Sequence, residues 1–102
     1  MAMLHTVNKS PFERNALDAC LRMARPGAGV LLIEDGVFAG LRSTEVADKV
    51  SKAMQTLSFY LLWPDLQARG FNEKRVIDGV KFVDYNGFVD LVVEYDNVQA
   101  WL

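Results

Sequence analysis

Few residues in this chain have side chains suited to chemistry. The stretch NKSPFERNALDACLRMARPG, residues 8–27, carries the single cysteine, Cys20. A lone thiol has two ordinary uses: as a thiolate it attacks a disulfide or persulfide sulfur, and as a small hydrophobe it fills a core. His5, the single histidine, sits between Leu4 and Thr6. It is a general-base candidate by type, but no sequence partner accompanies it, and a lone strand histidine is more often a hydrogen-bonded structural residue. Glu34-Asp35 and Asp65 raise acid/base or metal chemistry, yet a metal site wants more convergent ligands than these. Asp35 precedes Gly36 and Asp65 follows Pro64, where a helix start needs a side-chain acceptor. Capping is the better reading, with an i, i+4 ion pair open to Asp65 and Arg69.

Several function classes fall away on composition. A nucleotide or flavin site would want a glycine-rich turn after the first strand. NKSPFER has no glycine, and its Pro11 removes a backbone donor. No organic cofactor and no metal is therefore expected. One cysteine excludes an internal disulfide framework, a CxxC redox pair and a cysteine-based zinc site within the chain. The net charge is −2, the pI is about 5.3 and the basic residues are scattered singly, so direct nucleic-acid binding is not expected. The N-terminal MAMLHTVNKS lacks the charge and apolar order of a signal peptide. No apolar run approaches the roughly 20 residues of a membrane span. The expected compartment is the cytoplasm, where a lone thiol stays reduced.

The elements that must position these side chains follow from apolar runs. MLHTV (3–7), GVLLIE (29–34), LSFYLLW (57–63) and VKFVDY (80–85) read as strands, and VQAWL (98–102) as a short fifth. The unbroken apolar character of 29–34 and 57–63 marks strands buried on both faces. Ser10-Pro11-Phe12-Glu13 combines an N-cap, a proline at the first helical position and a glutamate that can close a capping box. It predicts a helix running to about Ala24 or Arg25, before Pro26-Gly27. TEVADKVSKAMQ (44–55) is amphipathic, DGVFAGL (35–41) suggests a short helical turn, and PDLQARG (64–70) has proline at its start and glycine at its end. YNGFVDLVVEY (85–95) stays open: its valines favour a strand, while Phe88, Val89, Leu91, Val92 and Tyr95 recur at helical spacing behind a capping Asp84. Alternating strands and helices predict one α/β domain over 1–102, a three-layer arrangement with a mainly parallel sheet of about five strands. Ligands would then bind beyond the carboxyl ends of the strands, at Asn8 and Lys9, Glu34 and Asp35, Trp63 to Asp65, and Asp84 and Tyr85.

On a helical wheel Arg14, Asn15, Asp18, Arg22 and Arg25 share one side, and Cys20 falls near the middle of the apolar arc. If the helix starts at Pro11, Cys20 lies about ten residues, or roughly 15 Å, from its positive end. The helix dipole then lends the thiol little. Both points favour a structural cysteine, since a thiol among apolar groups is inert.

Three stretches bring in a family. LHTVNKSPFERNALDAC (4–20), VLLIEDGVFA (30–39), and DLQARGF (65–71) with VDYNGFVDLV (83–92) resemble the DsrH/TusB family, over almost the whole chain and with similar spacing. The closing VQAWL and the presence of Cys20, which matches a cysteine position of the DsrH branch, make the resemblance closer to that branch. The resemblance implies a DsrE/DsrF/DsrH-like fold and an α2β2γ2 heterohexamer with DsrE/TusD-like and DsrF/TusC-like sister subunits. It implies a DsrC/TusE-like sulfur acceptor and a principal sulfur-carrying cysteine on the DsrE/TusD-type sister. Two functions follow as expectations. The first is a DsrEFH-like persulfide relay in sulfur oxidation, with Cys20 a candidate carrier. The alternative is a non-catalytic structural subunit of a TusBCD-like complex for 2-thiolation of the tRNA wobble uridine, with Cys20 in the core. A hydrophobic content of 51% suits a subunit that buries surface against partners. Trp63, Phe71 and Trp101 are candidates for that interface or equally for the core.

Overall fold

A computed structural model describes residues 2–102 of the protein. Its five strands are β1 (Met3–Val7), β2 (Gly29–Leu32), β3 (Ser58–Leu62), β4 (Lys81–Val83) and β5 (Asn97–Trp101). They form one sheet in the order β4-β3-β2-β1-β5, and every neighbouring pair is parallel. This is the expected α/β class. β2 is buried along its whole length, as its run of apolar residues requires, whereas β5 is exposed at one edge.

The strand order dictates where the helices go. From β1 to β4 the chain steps in one direction, and right-handed crossovers put these connections on one face of the sheet. These connections contain α1 (Ala16–Met23), two 3-10 helices (Glu34–Gly40 and Glu73–Arg75), α2 (Ala47–Ala53) and α3 (Trp63–Ala68). The last crossover runs back from β4 to β5, so α4 (Tyr85–Glu94) lies on the opposite face. The main core fills the first face: Val7, Val30, Leu32, Phe59 and Leu61 from the sheet meet Leu17, Cys20, Val37, Val50 and Leu66. A smaller cluster of Leu4, Leu31 and Leu91 lies under α4.

Local chemistry accounts for some element ends. Asp84 accepts the Gly87 N–H at 2.8 Å through Oδ1, and this cap resolves residues 85–94 as helix despite their valines. Gly70 follows α3 with φ +82, the left-handed turn that ends a helix most cheaply on glycine. The start of α1 differs from expectation. Glu13 and Arg14 both donate their N–H to the Ser10 carbonyl, at 3.2 and 3.1 Å. The Ser10 hydroxyl accepts from the Phe12 N–H at 3.2 Å. Ser10 to Arg14 is therefore a serine-nucleated turn rather than a capping box. The α-helix begins only at Ala16, behind Asn15.

Candidate functional site

The carboxyl ends of the strands bring the predicted acidic residues together, and they bind one another's backbone. Asp65 Oδ2 accepts the Glu34 N–H at 2.6 Å. It thus holds the start of the neighbouring 3-10 helix rather than capping its own. Glu34 has φ +50, a left-handed conformation that costs a non-glycine residue energy unless its surroundings hold it. The expected Asp65–Arg69 ion pair is replaced. Arg69 reaches Asp35 Oδ1 with Nη2 at 2.9 Å and Nε at 3.0 Å, and donates Nη1 to the Asp65 carbonyl at 2.9 Å. Gly36 closes this edge: a Cβ there would stand 1.9 Å from the Val7 carbonyl oxygen. Among the described residues, the buried Oδ1 of Asn8 is the side-chain acceptor without a protein partner. The edge can therefore bind and orient, but Asp35 and Asp65 are engaged structurally. No three His, Cys, Asp or Glu side chains converge as metal ligands among the described residues.

Cys20 lies on the inner side of α1, 0% exposed, in the same cluster as Val7, Leu17 and Val30. Because α1 starts at Ala16, Cys20 is in its second turn, about 6 Å from the start instead of 15 Å. Even there it lies beyond the first turn, where the dipole acts most, but distance alone does not quiet this thiol. Burial does: removal from water disfavours the thiolate and pushes the pKa up to about 12. Cys20 is unpaired.

His5 is also buried, at 4% exposure. Its Nδ1 accepts the Trp101 indole N–H at 3.0 Å across 96 residues of sequence. This bond makes Nδ1 the acceptor and leaves the proton on Nε2. Burial lowers the pKa, so the ring is neutral at pH 7. His5 and Trp101 line a cleft of about 580 Å³ with Met23, Arg25 and Gln99, at the amino-terminal half of β1 and β5. The cleft contains donors and an aromatic wall but no nucleophile.

The three aromatic residues named from sequence flank the core. Trp63 stacks edge-on against Phe82 and Phe71 against Phe38, and all three pack partly buried on the main cluster. Exposed apolar side chains gather on the outside of α4, at Tyr85, Val89, Val92 and Val93, while Phe12, Met23, Phe82, Val98 and Leu102 are exposed elsewhere. Sequence periodicity places Val89 and Val92 with Phe88, Leu91 and Tyr95 at helical spacing, and the structure leaves Val89 and Val92 exposed. The missed signal is that α4 carries apolar residues on its outer side as well as its inner one, beside a polar strip of Asn86, Asp90 and Glu94. No helix among the described residues is long and apolar enough to cross a membrane.

A family model described as "DsrH like protein" matches residues 9–98. Protein TusB of Pectobacterium parmentieri is 37% identical over 99 residues, covering 97% of this chain and 100% of that protein. Protein TusB of Erwinia tasmaniensis is also 37% identical, with the same coverage. Among solved structures, the ychN protein from E. coli superposes with a TM-score of 0.86 over 98% of each chain, at 20% identity. MTH1491 from Methanobacterium thermoautotrophicum gives 0.73 at 17% identity, over 96% of this chain and 97% of that one. At these identities the structural likeness concerns the fold.

Proposed function

Because the chain belongs to the DsrH/TusB family, we propose that it is a structural, non-catalytic subunit of a TusBCD-like sulfur-relay complex serving 2-thiolation of the tRNA wobble uridine. In this reading residues 1–102 act as one domain in the cytoplasm. The chain assembles with DsrE/TusD-like and DsrF/TusC-like sisters in an α2β2γ2 heterohexamer, and a DsrC/TusE-like protein receives the sulfur. The observation that carries the reading is the full-length match to proteins named TusB. The enclosure of Cys20 supports the further point that the moving sulfur belongs to a sister subunit. With a pKa near 12, roughly one thiol in a hundred thousand is ionised at pH 7, and the thiolate is the form that attacks sulfur.

A second reading rests on the resemblance of the Cys20 stretch to the DsrH branch, which implies a cysteine at this position. There the chain would serve a DsrEFH-like complex in sulfur oxidation. The Cys20 thiolate would attack the outer sulfur of a donor persulfide, form a new S–S bond, and release the donor as its thiolate. Cys20 would be left as a persulfide for a DsrC-like thiol to take over.

One reconstitution separates the two. The chain, its two sister subunits and the acceptor are mixed with a persulfide donor, and each subunit is weighed by mass spectrometry. The structural reading expects sulfur on the sister subunit, none on Cys20, and unchanged flux with Cys20→Ser. A one-sulfur mass gain on this chain that a reductant removes, with flux lost in Cys20→Ser, would establish the carrier reading instead. Loss of wobble 2-thiouridine on deletion of the gene supports the tRNA branch; retention counts against it.

A further inference from the structure

α4 is apolar on both sides. Its inner side sets Phe88 and Leu91, with the following Tyr95, against Leu4, Leu31, Ile33, Tyr60 and Val83. Its outer side presents Tyr85, Val89, Val92 and Val93 to solvent, with Val89 62% and Val93 79% exposed. Val98, paired in register with the inward-facing Leu4, adds a further exposed valine on this face of the sheet. Along α4, Asn86, Asp90 and Glu94 form an exposed polar strip between these two sides, so the outer valines are apolar surface that a solvated helix face does not ordinarily carry. The opposite layer is built differently: α1 and α2 turn Asp18, Arg22, Asp48, Lys49 and Lys52 outward, and Lys49 pairs with Asp18.

Charge decides what covers the valines. From Asp84 to Asp96 the chain carries four carboxylates and no lysine, arginine or histidine. Asp84 is engaged as the α4 cap and Asp96 accepts the Ala2 N–H. Asp90 and Glu94 remain, each next in sequence to an exposed valine. Two copies meeting through this face about a two-fold axis would bring the same carboxylates towards each other, which opposes pairing. We infer that the outer face of α4, Val89, Val92 and Val93 with Asp90 and Glu94, is the docking surface for a different protein subunit whose apolar centre is flanked by Lys or Arg. This rests on the reading above that the chain works in a hetero-oligomer, and it identifies a sister subunit of the relay complex as the occupant.

The test co-expresses the chain with its DsrE/TusD-like and DsrF/TusC-like subunits. A photo-crosslinking amino acid is placed at position 93 or, as a control on the opposite layer, at position 49. Complexes are weighed by native mass spectrometry. Crosslinking from position 93 to a sister subunit is expected, and at least a tenfold loss of assembled complex in Val89→Asp/Val93→Asp. The pair Asp90→Lys/Glu94→Lys leaves the apolar face intact and should also weaken assembly at least tenfold. Wild-type assembly should weaken as salt is raised. Normal assembly of both double variants, with no crosslink from position 93, would overturn the inference and leave the family reading standing. A crosslink from position 93 to a second copy of this chain would overturn it too. Failure of the wild-type chain to join its sisters would remove both.

Discussion

The two faces of the sheet are covered unequally. On one, three α-helices and the connections that carry two 3-10 helices enclose a core that includes Val30, Leu32, Phe59, Leu61 and Cys20. On the other, a single helix rests on a small cluster around Leu4, Leu31 and Leu91 and keeps its own valines in solvent. The difference comes from topology. Three forward steps of a right-handed chain load one face, and the single return step from β4 to β5 must supply the whole of the other. The thick layer is where the protein keeps itself folded. The thin layer is where it has a cluster of apolar surface left to offer, whereas the outsides of α1 and α2 are mainly polar, with Met23 the exposed apolar exception.

Substitutions can break this comparison, and the largest effect belongs to the thick layer. Phe59→Ala removes a large side chain that is almost wholly enclosed and should cost about 3–5 kcal/mol in urea unfolding. A loss below about 1 kcal/mol would mean this face is not the main core.

Next comes the enclosed thiol. The unfolded chain ionises Cys20 near pH 9, while the folded chain holds its proton to about pH 12. The native state therefore binds more protons in that window and loses stability as pH rises through it. Up to about 1.4 kcal/mol per pH unit should separate wild type from Cys20→Ala, with wild type the steeper. Parallel pH curves for the two proteins would show that water reaches the thiol in the fold.

A smaller effect is expected at the edge where β5 joins β1. Trp101→Phe removes the indole donor to His5 and should cost about 1 kcal/mol. Because burial lowers the His5 pKa, the folded state resists the proton that the unfolded chain takes up below pH 6.5. Stability then falls as pH drops below 6.5, and His5→Gln should flatten that fall in thermal melts.

The smallest effect sharpens the contrast. Val93→Asp should leave the isolated chain within about 0.5 kcal/mol of wild type, since the side chain is already in water. A large loss of stability in the isolated chain would make the outside of α4 part of its own fold.

What the amino-acid order made legible was chiefly what depends on near neighbours. The strand runs at 29–34 and 57–63 stood out because burial on both faces leaves no polar alternation, and the wheel put Cys20 inward correctly. The start of α1 was misjudged because Ser10-Pro11 supports two local structures. The hydroxyl here closes a turn on Phe12 in place of a helix cap on Glu13. Asp65 was read as capping its own helix, and tertiary approach gave it the Glu34 amide instead. The His5–Trp101 bond joins opposite ends of the sequence, so no window along the chain contains it. The exposure of Val89, Val92 and Val93 escaped because periodicity finds an apolar face and cannot say that a helix has two.

β1 pairs on one side with β2, Leu4 against Gly29, and on the other with β5, Met3 against Asn97. The first pairing closes a short stretch of chain, and the second brings together residues from its two ends. Contacts so distant in sequence cost more chain entropy to form, and topologies that need them fold more slowly. During folding, β5 should therefore join the sheet after β1, β2 and β3 have paired. Trp101 changes from solvated to hydrogen-bonded at that moment, which makes its fluorescence a clock for the final stage of folding.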